Sequence, residues 1–136
     1  MKKAGSFLYI HYNRISWHLF SYGSKLHREN SPAVQWSDGV TSEWYLNGKL
    51  HRIGGPAVSH FTGYKAWYLN GELHRVDGPA IEHSDRSKEW YLNNNLHRID
   101  GPAIDNADGS KEWYLEGIEY TEAEYLEKVK EYDKHS

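Results

Sequence analysis

The sequence predicts an all-β protein: an antiparallel β-hairpin repeat solenoid, folded as a single twisted meandering sheet, with a short C-terminal α-helical cap. A phrase of fourteen residues occurs three times, as WYLNGKLHRIGGPA, WYLNGELHRVDGPA and WYLNNNLHRIDGPA. A leading partial copy, LHRENSPA, adds a fourth histidine, and the four histidines are 24, 23 and 23 residues apart. A fixed period of this size indicates a stack of one supersecondary unit. Aromatic residues, mostly Tyr and Trp, make up 15% of the chain, which is typical of a sheet with large, partly exposed side chains.

Residues 1–25 contain two runs rich in β-branched and aromatic residues, Phe7 to Tyr12 and Ile15 to Phe20. We expect them to form an N-terminal hairpin that caps the first repeat, with a turn at Asn13 and Arg14. The stretch from Trp17 to Arg28 also resembles a degenerate copy of the phrase, with a longer turn around residues 22 and 23. Terminal units of a repeat are commonly degenerate, because one of their faces meets water instead of a neighbouring unit.

Residues 26–120 are predicted to form four repeats of about 23 residues, each with two turns. The first turn is the stronger signal, because Asn47-Gly48 and Asn70-Gly71 suit a two-residue type I′ hairpin in which both central residues need positive φ. Asn93-Asn94 and Glu116-Gly117 occupy the same place less ideally. The full copies are Trp44 to Ala57, Trp67 to Ala80 and Trp90 to Ala103, between a leading partial copy, Leu26 to Ala33, and a trailing one, Trp113 to Gly117.

The second turn of each repeat is less sharply defined. It is predicted at Asp38-Gly39, Thr62-Gly63, Asp85-Arg86 and Asp108-Gly109. The longer segment between turns carries a Gly-Pro pair in its middle, which bends the meander once per repeat. If both series are two-residue turns, Trp44 lies opposite His51, Glu43 opposite Arg52 and Val58 opposite Trp67.

Residues 121–136 change period and are predicted to form a C-terminal helix and tail. Thr121 and Glu124 have the spacing of a capping box, and Tyr125, Val129 and Tyr132 fall on one helical face. We expect the helix to cover the last open strand, because an uncovered sheet edge can pair with another chain. All three segments together form one domain.

Composition argues against several classes of function. Sixteen basic and nineteen acidic residues give a formal net charge of −3, so no bulk positive field recruits nucleic acid or an acidic membrane. The chain has no cysteine, which removes disulfides, thiolate zinc sites and thiol catalysis. The N-terminus lacks an apolar run of the length that a secretory signal needs, and no stretch is long enough to span a membrane. We therefore expect a soluble, cytoplasmic protein without a cofactor, a metal or a membrane partner.

The repeated phrase WYLNGxLHRxDGPAxxxxDGxxxW, read from Trp44 to Trp113, resembles the MORN (membrane occupation and recognition nexus) repeat, a hairpin unit of similar length. It is most similar to the variant MORN-type repeats of bacterial and phage proteins, including the YwqK-type family of proposed antitoxins. The likeness covers about residues 26–120. It departs from common MORN units in the Arg that follows each His, where they favour Gly, and in the added Gly-Pro-Ala. The resemblance implies a twisted β-sheet stack that serves as a binding scaffold, and it implies no reaction.

One histidine recurs in each repeat, at His27, His51, His74 and His97. We favour a structural role, in which the imidazole packs on Trp and bonds to backbone. A metal site is disfavoured because equivalent residues in successive copies lie two strands, about 10 Å, apart, whereas zinc ligands lie about 2 Å from the metal. Catalysis is disfavoured because a repeat presents one residue type many times, whereas a catalytic site needs different types in one pocket.

Two further rows hold the candidate binding residues. The arginine row is Arg52, Arg75 and Arg98, with Arg28 in the leading copy, and the tyrosine row is Tyr45, Tyr68, Tyr91 and Tyr114. If both rows face outward, they suit a phosphate, a nucleotide or an acidic protein patch. The alternatives are ion pairs of the arginines with Glu43, Glu89, Asp77 or Asp100, and packing of the tyrosines against Leu50, Leu73 and Leu96. Arg75 is expected to be the least neutralised, because it faces Ala66 where the other copies have Glu.

These rows predict a non-enzymatic repeat scaffold that binds and inhibits another protein. The role of antitoxin or phage counter-defence inhibitor follows from the resemblance alone. The alternative function is binding of a phosphate-bearing ligand, a nucleotide or nucleic acid, through the repeated Arg and His face. The open N-terminal end also leaves pairing of two copies as a dimer as an alternative to a monomer.

Overall fold

The computed structural model describes residues 6–11, 14–19 and 25–134. The N-terminal strands are β1 (Ser6–His11), β2 (Arg14–Leu19), β3 (Lys25–Leu26) and β4 (Val34–Trp36). The repeats supply β5 (Ser42–Glu43), β6 (Tyr45–Leu46), β7 (Lys49–Leu50), β8 (Val58–Ser59), β9 (Lys65–Ala66), β10 (Tyr68–Leu69), β11 (Glu72–Leu73), β12 (Ile81–Glu82), β13 (Lys88–Glu89), β14 (Tyr91–Leu92), β15 (Asn95–Leu96) and β16 (Ile104–Asp105). The chain continues with β17 (Lys111–Leu115), β18 (Ile118–Tyr120) and α1 (Glu122–Asp133).

The chain divides into two compact units, Met1–Glu72 and Leu73–Ser136. In the first unit the strands form an antiparallel meander in the order β1-β2-β4-β5-β8-β9, with β3 beside β2. In the second unit the order is β12-β13-β16-β17-β18. Consecutive strands therefore pair within each unit, and the predicted fold class, an all-β antiparallel hairpin repeat with a short C-terminal helix, is confirmed.

The first turn of each repeat has the backbone that its Asn-Gly signal predicts. Asn47 and Gly48 have φ of 52° and 79°, and even Glu116 of the trailing copy has φ of 51°. The strands on either side pair Tyr45 with Leu50, as expected for a two-residue hairpin. The predicted register across this turn series is confirmed here and in the hairpin that pairs Tyr91 with Leu96.

After each of the three full copies the second turn differs from the prediction by one residue, whereas after the leading copy Val34 pairs with Glu43, the register of a turn centred on Asp38-Gly39. Val58 pairs with Ala66, where the sequence predicted Trp67, and Ile81 pairs with Glu89. The reason is a three-residue loop: the His60 carbonyl accepts the Gly63 N–H, and the His60 N–H donates to the Tyr64 carbonyl. A type I turn followed by one left-handed residue makes such a loop, and Gly63 has φ of 96°. The predicted pairing of Val58 with Trp67 is therefore wrong, because an odd loop length shifts the register by one.

The Gly-Pro-Ala segment bends the chain, as predicted, and places its alanine in the core. The backbone N–H of Trp44 donates to the Ala57 carbonyl at 2.7 Å, and that of Trp90 to the Ala103 carbonyl at 2.8 Å. These bonds continue the pairing with the neighbouring strand, whereas the carbonyls of Trp44 and Trp90 accept the N–H groups of His51 and His97 in the hairpin. The chain therefore changes partner at each Trp, and the hairpin tips β6-β7 and β14-β15 form two-stranded ladders of their own. The alanines of all four Pro-Ala pairs are 0% exposed. A larger side chain at these fully buried positions would have to displace its close-packed neighbours.

The predicted N-terminal hairpin is present, with Leu8 paired with Trp17 and Ile10 with Ile15. Arg14, which the sequence placed in the turn, is instead the first residue of β2, while Asn13 lies outside the described residues. β2 pairs with β3 in the same register as the strands of the other first turns, which supports the interpretation of residues 17–28 as a degenerate copy of the phrase. The turn predicted for this copy at residues 22 and 23 lies outside the described residues. β1 is the outermost strand in the order of its unit, and pairing of this edge with a second copy stays a prediction.

The C-terminal helix begins with the predicted capping box. The Thr121 hydroxyl accepts the Glu124 N–H at 3.2 Å, and the Glu124 carboxylate accepts the Thr121 N–H at 3.0 Å. α1 packs on β17 and β18. Tyr125 is its buried residue, at 3% exposure. No helix in the described part of the chain is long and apolar enough to cross a membrane.

Candidate functional site

Each arginine of the predicted binding row folds back onto its own copy. The Nη1 atoms of Arg52, Arg75 and Arg98 donate to the carbonyl oxygens of Pro56, Pro79 and Pro102 at 3.1, 3.0 and 3.1 Å. Arg28 of the leading copy makes the same bond to Pro32 at 3.3 Å. The bond spans four residues, so the arginine closes the bend that the Gly-Pro pair makes.

The glycine of the Gly-Pro-Ala segment makes room for the guanidinium group. A Cβ atom at Gly55 would lie 2.8 Å from the Cζ atom of Arg52, and one at Gly101 equally close to Cζ of Arg98. On its other side the Arg52 guanidinium lies over the Trp44 ring, with Cζ 4.0 Å from the ring centroid. The motif Trp, Arg, Gly-Pro-Ala is therefore one structural unit, a guanidinium held between an indole ring and a glycine backbone.

Two of the arginines also have carboxylate partners, which are not the ones that the predicted register favoured. The Nε atom of Arg75 bonds to Asp77 at 3.0 Å and its Nη1 to Glu82 at 3.2 Å, while the Nε atom of Arg98 bonds to Asp100 at 2.8 Å. The expectation that Arg75 is the least neutralised arginine is wrong. The alternative that the sequence left open, a bond to the Asp two residues on, is confirmed.

The predicted Glu-to-Arg pairs across the hairpin do not form because the chain leaves the hairpin after the His. The Arg52 N–H donates to the Tyr68 carbonyl of the next copy at 3.1 Å. The Arg98 N–H makes the same bond to the Tyr114 carbonyl at 3.2 Å. Glu89, the expected partner of Arg98, instead bonds to His83 at 2.6 Å.

Arg52 differs from the other two because Gly54 stands where Arg75 and Arg98 have Asp. Gly54 has φ of 84°, a left-handed backbone that the aspartates of the later copies do not share. Among the residues that the structure describes, no carboxylate lies within ion-pair distance of Arg52. Burial holds the pKa of Arg52 below its ordinary value. Within the described part of the chain, the partners of this guanidinium are therefore a proline carbonyl and an aromatic ring.

The tyrosine row lies half-buried beside a row of glutamates. The hydroxyl of Tyr91 donates to Glu89 at 2.9 Å and that of Tyr114 to Glu112 at 3.2 Å. Burial, and then the charge of Glu43, raises the pKa of Tyr45 to about 12. In the second full copy Ala66 takes the position of the glutamate, and burial alone raises the pKa of Tyr68. These bonds place the hydroxyls of Tyr91 and Tyr114 beside the glutamates two residues before them.

Each histidine of the row accepts a hydrogen bond from the next copy. The Nδ1 atoms of His27, His51, His74 and His97 accept the backbone N–H groups of Asn47, Asn70, Asn93 and Glu116 at 2.9 to 3.0 Å. The expected bonding of the imidazoles to backbone is confirmed. Among the described residues no group of three or more His, Asp or Glu side chains could hold a metal ion.

An aliphatic side chain that the sequence reasoning missed follows each arginine. Ile53 and Val76 are 83% exposed and Ile99 is 52% exposed, and we refer to these three as the aliphatic loop row. The signal was available in the sequence, because the position after His-Arg is aliphatic in all three full copies although the neighbouring residues are loop-forming. Beside two of them stand the exposed carboxylates of Asp77 and Asp100, at 87% and 81% exposure.

A concavity of about 350 Å³ lies in the first unit, between the leading copy and the first full copy. Its lining includes Arg28, Glu29, Trp44, His51, Arg52 and Ile53.

The net charge of the two units differs, which the sequence analysis did not predict. Residues 1–72 carry eight Lys and Arg and four Asp and Glu, a net charge of +4, whereas residues 73–136 carry eight and fifteen, a net charge of −7.

Comparison of the chain with protein-family models, with curated proteins and with solved structures finds no match. The resemblance to the MORN-type repeat therefore stays a prediction that depends on the repeated residues alone.

Proposed function

We propose that this protein is a non-enzymatic repeat scaffold that binds another protein through the aliphatic loop row, Ile53, Val76 and Ile99. The exposure of that row carries the proposal. A side chain that is 83% exposed contributes little to the stability of the free protein, whereas its burial against a partner contributes about 25 cal/mol per Å². The same exposure recurs at the same position of successive copies, once in the first unit and twice in the second, which suits a binding position that is repeated along the chain.

The charges around Val76 and Ile99, the two members of the row in the second unit, favour a particular kind of partner surface. Asp77 and Asp100 follow Val76 and Ile99 and are largely exposed, in a unit whose net charge is −7. An apolar centre with an acidic rim is complementary to an apolar patch surrounded by Lys and Arg. We therefore propose a partner with a basic, partly apolar binding surface. Inhibition of that partner, as by an antitoxin, is the part of the proposal that rests on the resemblance to MORN-type repeats.

The contacts of the arginine and tyrosine rows favour protein binding over the alternative, a phosphate ligand bound along the whole repeat. The guanidinium groups of Arg75 and Arg98 each have a carboxylate partner, and both side chains are 22% exposed. A phosphate at these two copies would compete with that carboxylate and meet its charge. This argument does not apply to the first full copy, because Arg52 has no carboxylate partner among the described residues.

Differential capture from the protein's own host tests the proposal. A tagged protein with Ile53, Val76 and Ile99 all changed to Ser is compared with the wild type, and captured proteins are identified by mass spectrometry. A control variant changes Val40 and Phe61 to Ser, because these side chains are also exposed, at 58% and 65%, but lie in the other turn series. Truncation of central apolar contacts costs about 1 to 2 kcal/mol each, so we expect the loop-row variant to lose the partner.

The control variant should retain the partner in amounts equal to the wild type, at moderate salt as well as low salt, because apolar burial is not screened by ions. If the loop-row variant captures the same protein as strongly as the wild type does, the aliphatic loop row is not the binding surface. Circular dichroism of both variants checks that the exposed substitutions leave the fold intact.

A further inference from the structure

We propose that the concavity lined by Arg28 and Arg52 binds a small phosphate-bearing ligand. This proposal does not depend on the protein-binding function of the aliphatic loop row. It follows from a comparison of the copies with each other: they share one arginine arrangement, and the first full copy lacks the acidic residue that the later copies have.

The four copies differ at the position two residues after the arginine. That position is Asn30 in the leading copy and Gly54 in the first full copy, but Asp77 and Asp100 in the two that follow. Asn30 and Gly54 have φ of 59° and 84°, so the backbone there is left-handed, a conformation that favours Gly and Asn. The loop after Arg52 therefore lacks, among the described residues, the carboxylate that bonds to the arginine Nε atom in the second unit.

The guanidinium of Arg52 has donors left for a ligand. Its described partners are the Pro56 carbonyl, at 3.1 Å from Nη1, and the face of the Trp44 ring. A guanidinium group has five N–H donors, and its planar fork matches two oxygens of a phosphate. In the third full copy the equivalent fork bonds to Asp100 through Nε. We infer that a phosphate oxygen takes the place at Arg52 that a carboxylate oxygen takes at Arg98.

The surroundings of the concavity suit an anion. Arg28 also lines it, and it lies in the unit with a net charge of +4. His51 adds a donor: its Nδ1 atom accepts the Asn70 N–H, so a neutral imidazole carries its hydrogen on Nε2. Glu29 is the acidic residue of the lining; its carboxylate is 76% exposed and lies 3.9 Å from His27 Nε2. The volume of about 350 Å³ exceeds that of a phosphate ion and leaves room for an attached organic group.

A chemical-shift titration of the full chain with inorganic phosphate, and separately with AMP, tests this proposal. At low ionic strength we expect both probes to shift the amides of residues 52–54 and the indole N–H of Trp44. The Arg52→Gln variant should weaken phosphate binding about tenfold or more, because a hydrogen bond to a charged group contributes about 1.5 to 3 kcal/mol. Tighter binding of AMP than of phosphate would identify a nucleotide-type ligand, and equal binding would identify the phosphoryl group as the feature recognised.

The chain supplies a matched control for the loss of the arginine itself. Arg98→Gln removes an equivalent guanidinium, which lies 3.8 Å from the Trp90 ring centroid and bonds to Pro102 as Arg52 does to Pro56. Because Arg98 already has Asp100, we expect its replacement to leave phosphate affinity within about twofold of the wild type. Equal losses from Arg52→Gln and Arg98→Gln would overturn the proposal, as would shifts spread over all copies or absent near Arg52.

A second pair of variants separates the charge of the site from its folding. Gly54→Asp restores the acidic residue of the later copies, and Gly54→Asn places a side chain of the same shape without the charge. Both residues must adopt the same left-handed φ, so the backbone strain is shared. We expect Gly54→Asp to weaken phosphate binding about tenfold relative to Gly54→Asn, because the new carboxylate competes for the guanidinium. If the two variants bound phosphate with equal affinity, the absence of a carboxylate next to Arg52 would not be what makes the site.

Discussion

At the scale of single residues, one side chain decides what each arginine can do. The bond to the Pro carbonyl is the same in all copies, and it makes the arginine a structural brace for the Gly-Pro bend. The residue two positions on then determines whether the guanidinium is neutralised, as by Asp77 and Asp100, or only shielded, as next to Gly54. A repeat can therefore keep its fold and still make one copy chemically different from its neighbours.

The half-buried Tyr45 should titrate well above the ordinary pKa of a phenol. Burial and the charge of Glu43 raise its pKa to about 12, because both disfavour the phenolate. A raised pKa contributes stability that is complete below the ordinary value of about 10 and is lost as the pH rises through about 12. The absorbance at 295 nm, recorded as a difference between the wild type and Tyr45→Phe, should isolate this transition. A difference spectrum with its midpoint near pH 10 would show that Tyr45 is in contact with water.

At the scale of elements, polar bonds from each copy hold the next turn in place. Besides the histidine row, the hydroxyl of Thr41 accepts the Phe61 N–H at 3.1 Å, and that of Ser87 accepts the Ala107 N–H at 2.9 Å. Both are buried, at 7% and 8% exposure. Because each hairpin is too short to be stable alone, such bonds and the alanine contacts connect copies that could not fold singly.

Replacing Ser87 by Ala should destabilise the protein more than replacing Ser110 by Ala. Both hydroxyls interact with an Asp of their own turn, but only Ser87 accepts an N–H from the turn that follows. Ser87 is buried but Ala107 is exposed, so we expect the loss of this bond to cost about 0.5 to 1.5 kcal/mol, the net contribution of a typical hydrogen bond. Urea denaturation of the two variants should show a lower midpoint for Ser87→Ala. Equal midpoints would mean that water replaces the lost acceptor at Ala107.

At the scale of the whole molecule, the C-terminus shows how the repeat ends. Thr121 occupies the position that Arg52 and Arg98 hold in the full copies. Where those arginines donate their N–H to the next hairpin, the Thr121 N–H donates to the Glu124 carboxylate of its own helix. The hairpin β17-β18 also extends its pairing to Trp113 and Tyr120, whereas the described pairing of β6 with β7 stops one residue earlier. These differences give hydrogen-bond partners to backbone groups that, in the full copies, bond to the next copy.

Of the two helix tyrosines Tyr125 and Tyr132, Tyr125 should contribute more to the stability of the second unit. Its hydroxyl donates to the Arg98 carbonyl at 2.8 Å and accepts the Gly101 N–H at 3.1 Å, in a buried position. We expect Tyr125→Phe to cost about 1 to 3 kcal/mol, because the Arg98 carbonyl and the Gly101 N–H, both half-buried, lose the partner that the buried hydroxyl provides. Tyr132→Phe removes one bond from an exposed hydroxyl, to Glu116, and is expected to cost less than about 1 kcal/mol.

Hydrogen exchange of the two helix variants locates the effect. For Tyr125→Phe, the amides around residue 101 and in β17 and β18 should lose protection, since local opening follows local contacts. The same amides should keep their protection in Tyr132→Phe. Equal protection in both variants would show that the helix is held by its apolar packing and not by this hydroxyl.

The sequence by itself determined the features that depend on short stretches of chain. The period, the type I′ hairpins with their register, the bend at Gly-Pro and the capping box of Thr121 and Glu124 all follow from residues a few positions apart. Positive φ at Asn-Gly and the geometry of a helix N-terminus are local properties, so the residue types are enough to predict them. The alternation of long and short segments then specifies an all-β hairpin repeat.

Only the tertiary structure decided the register across the second turn, the partners of the arginines and the exposure of the aliphatic loop row. The loop from Phe61 to Gly63 holds three residues because one left-handed residue follows a type I turn, and Asp-Gly or Thr-Gly in the sequence fits a two-residue turn as well. Arg75 has carboxylate partners, whereas Arg52 has none among the described residues. This difference depends on the path of the chain after the histidine, where it joins the next copy. Such contacts are set by the path of the chain between copies, which residue types in one short phrase do not specify.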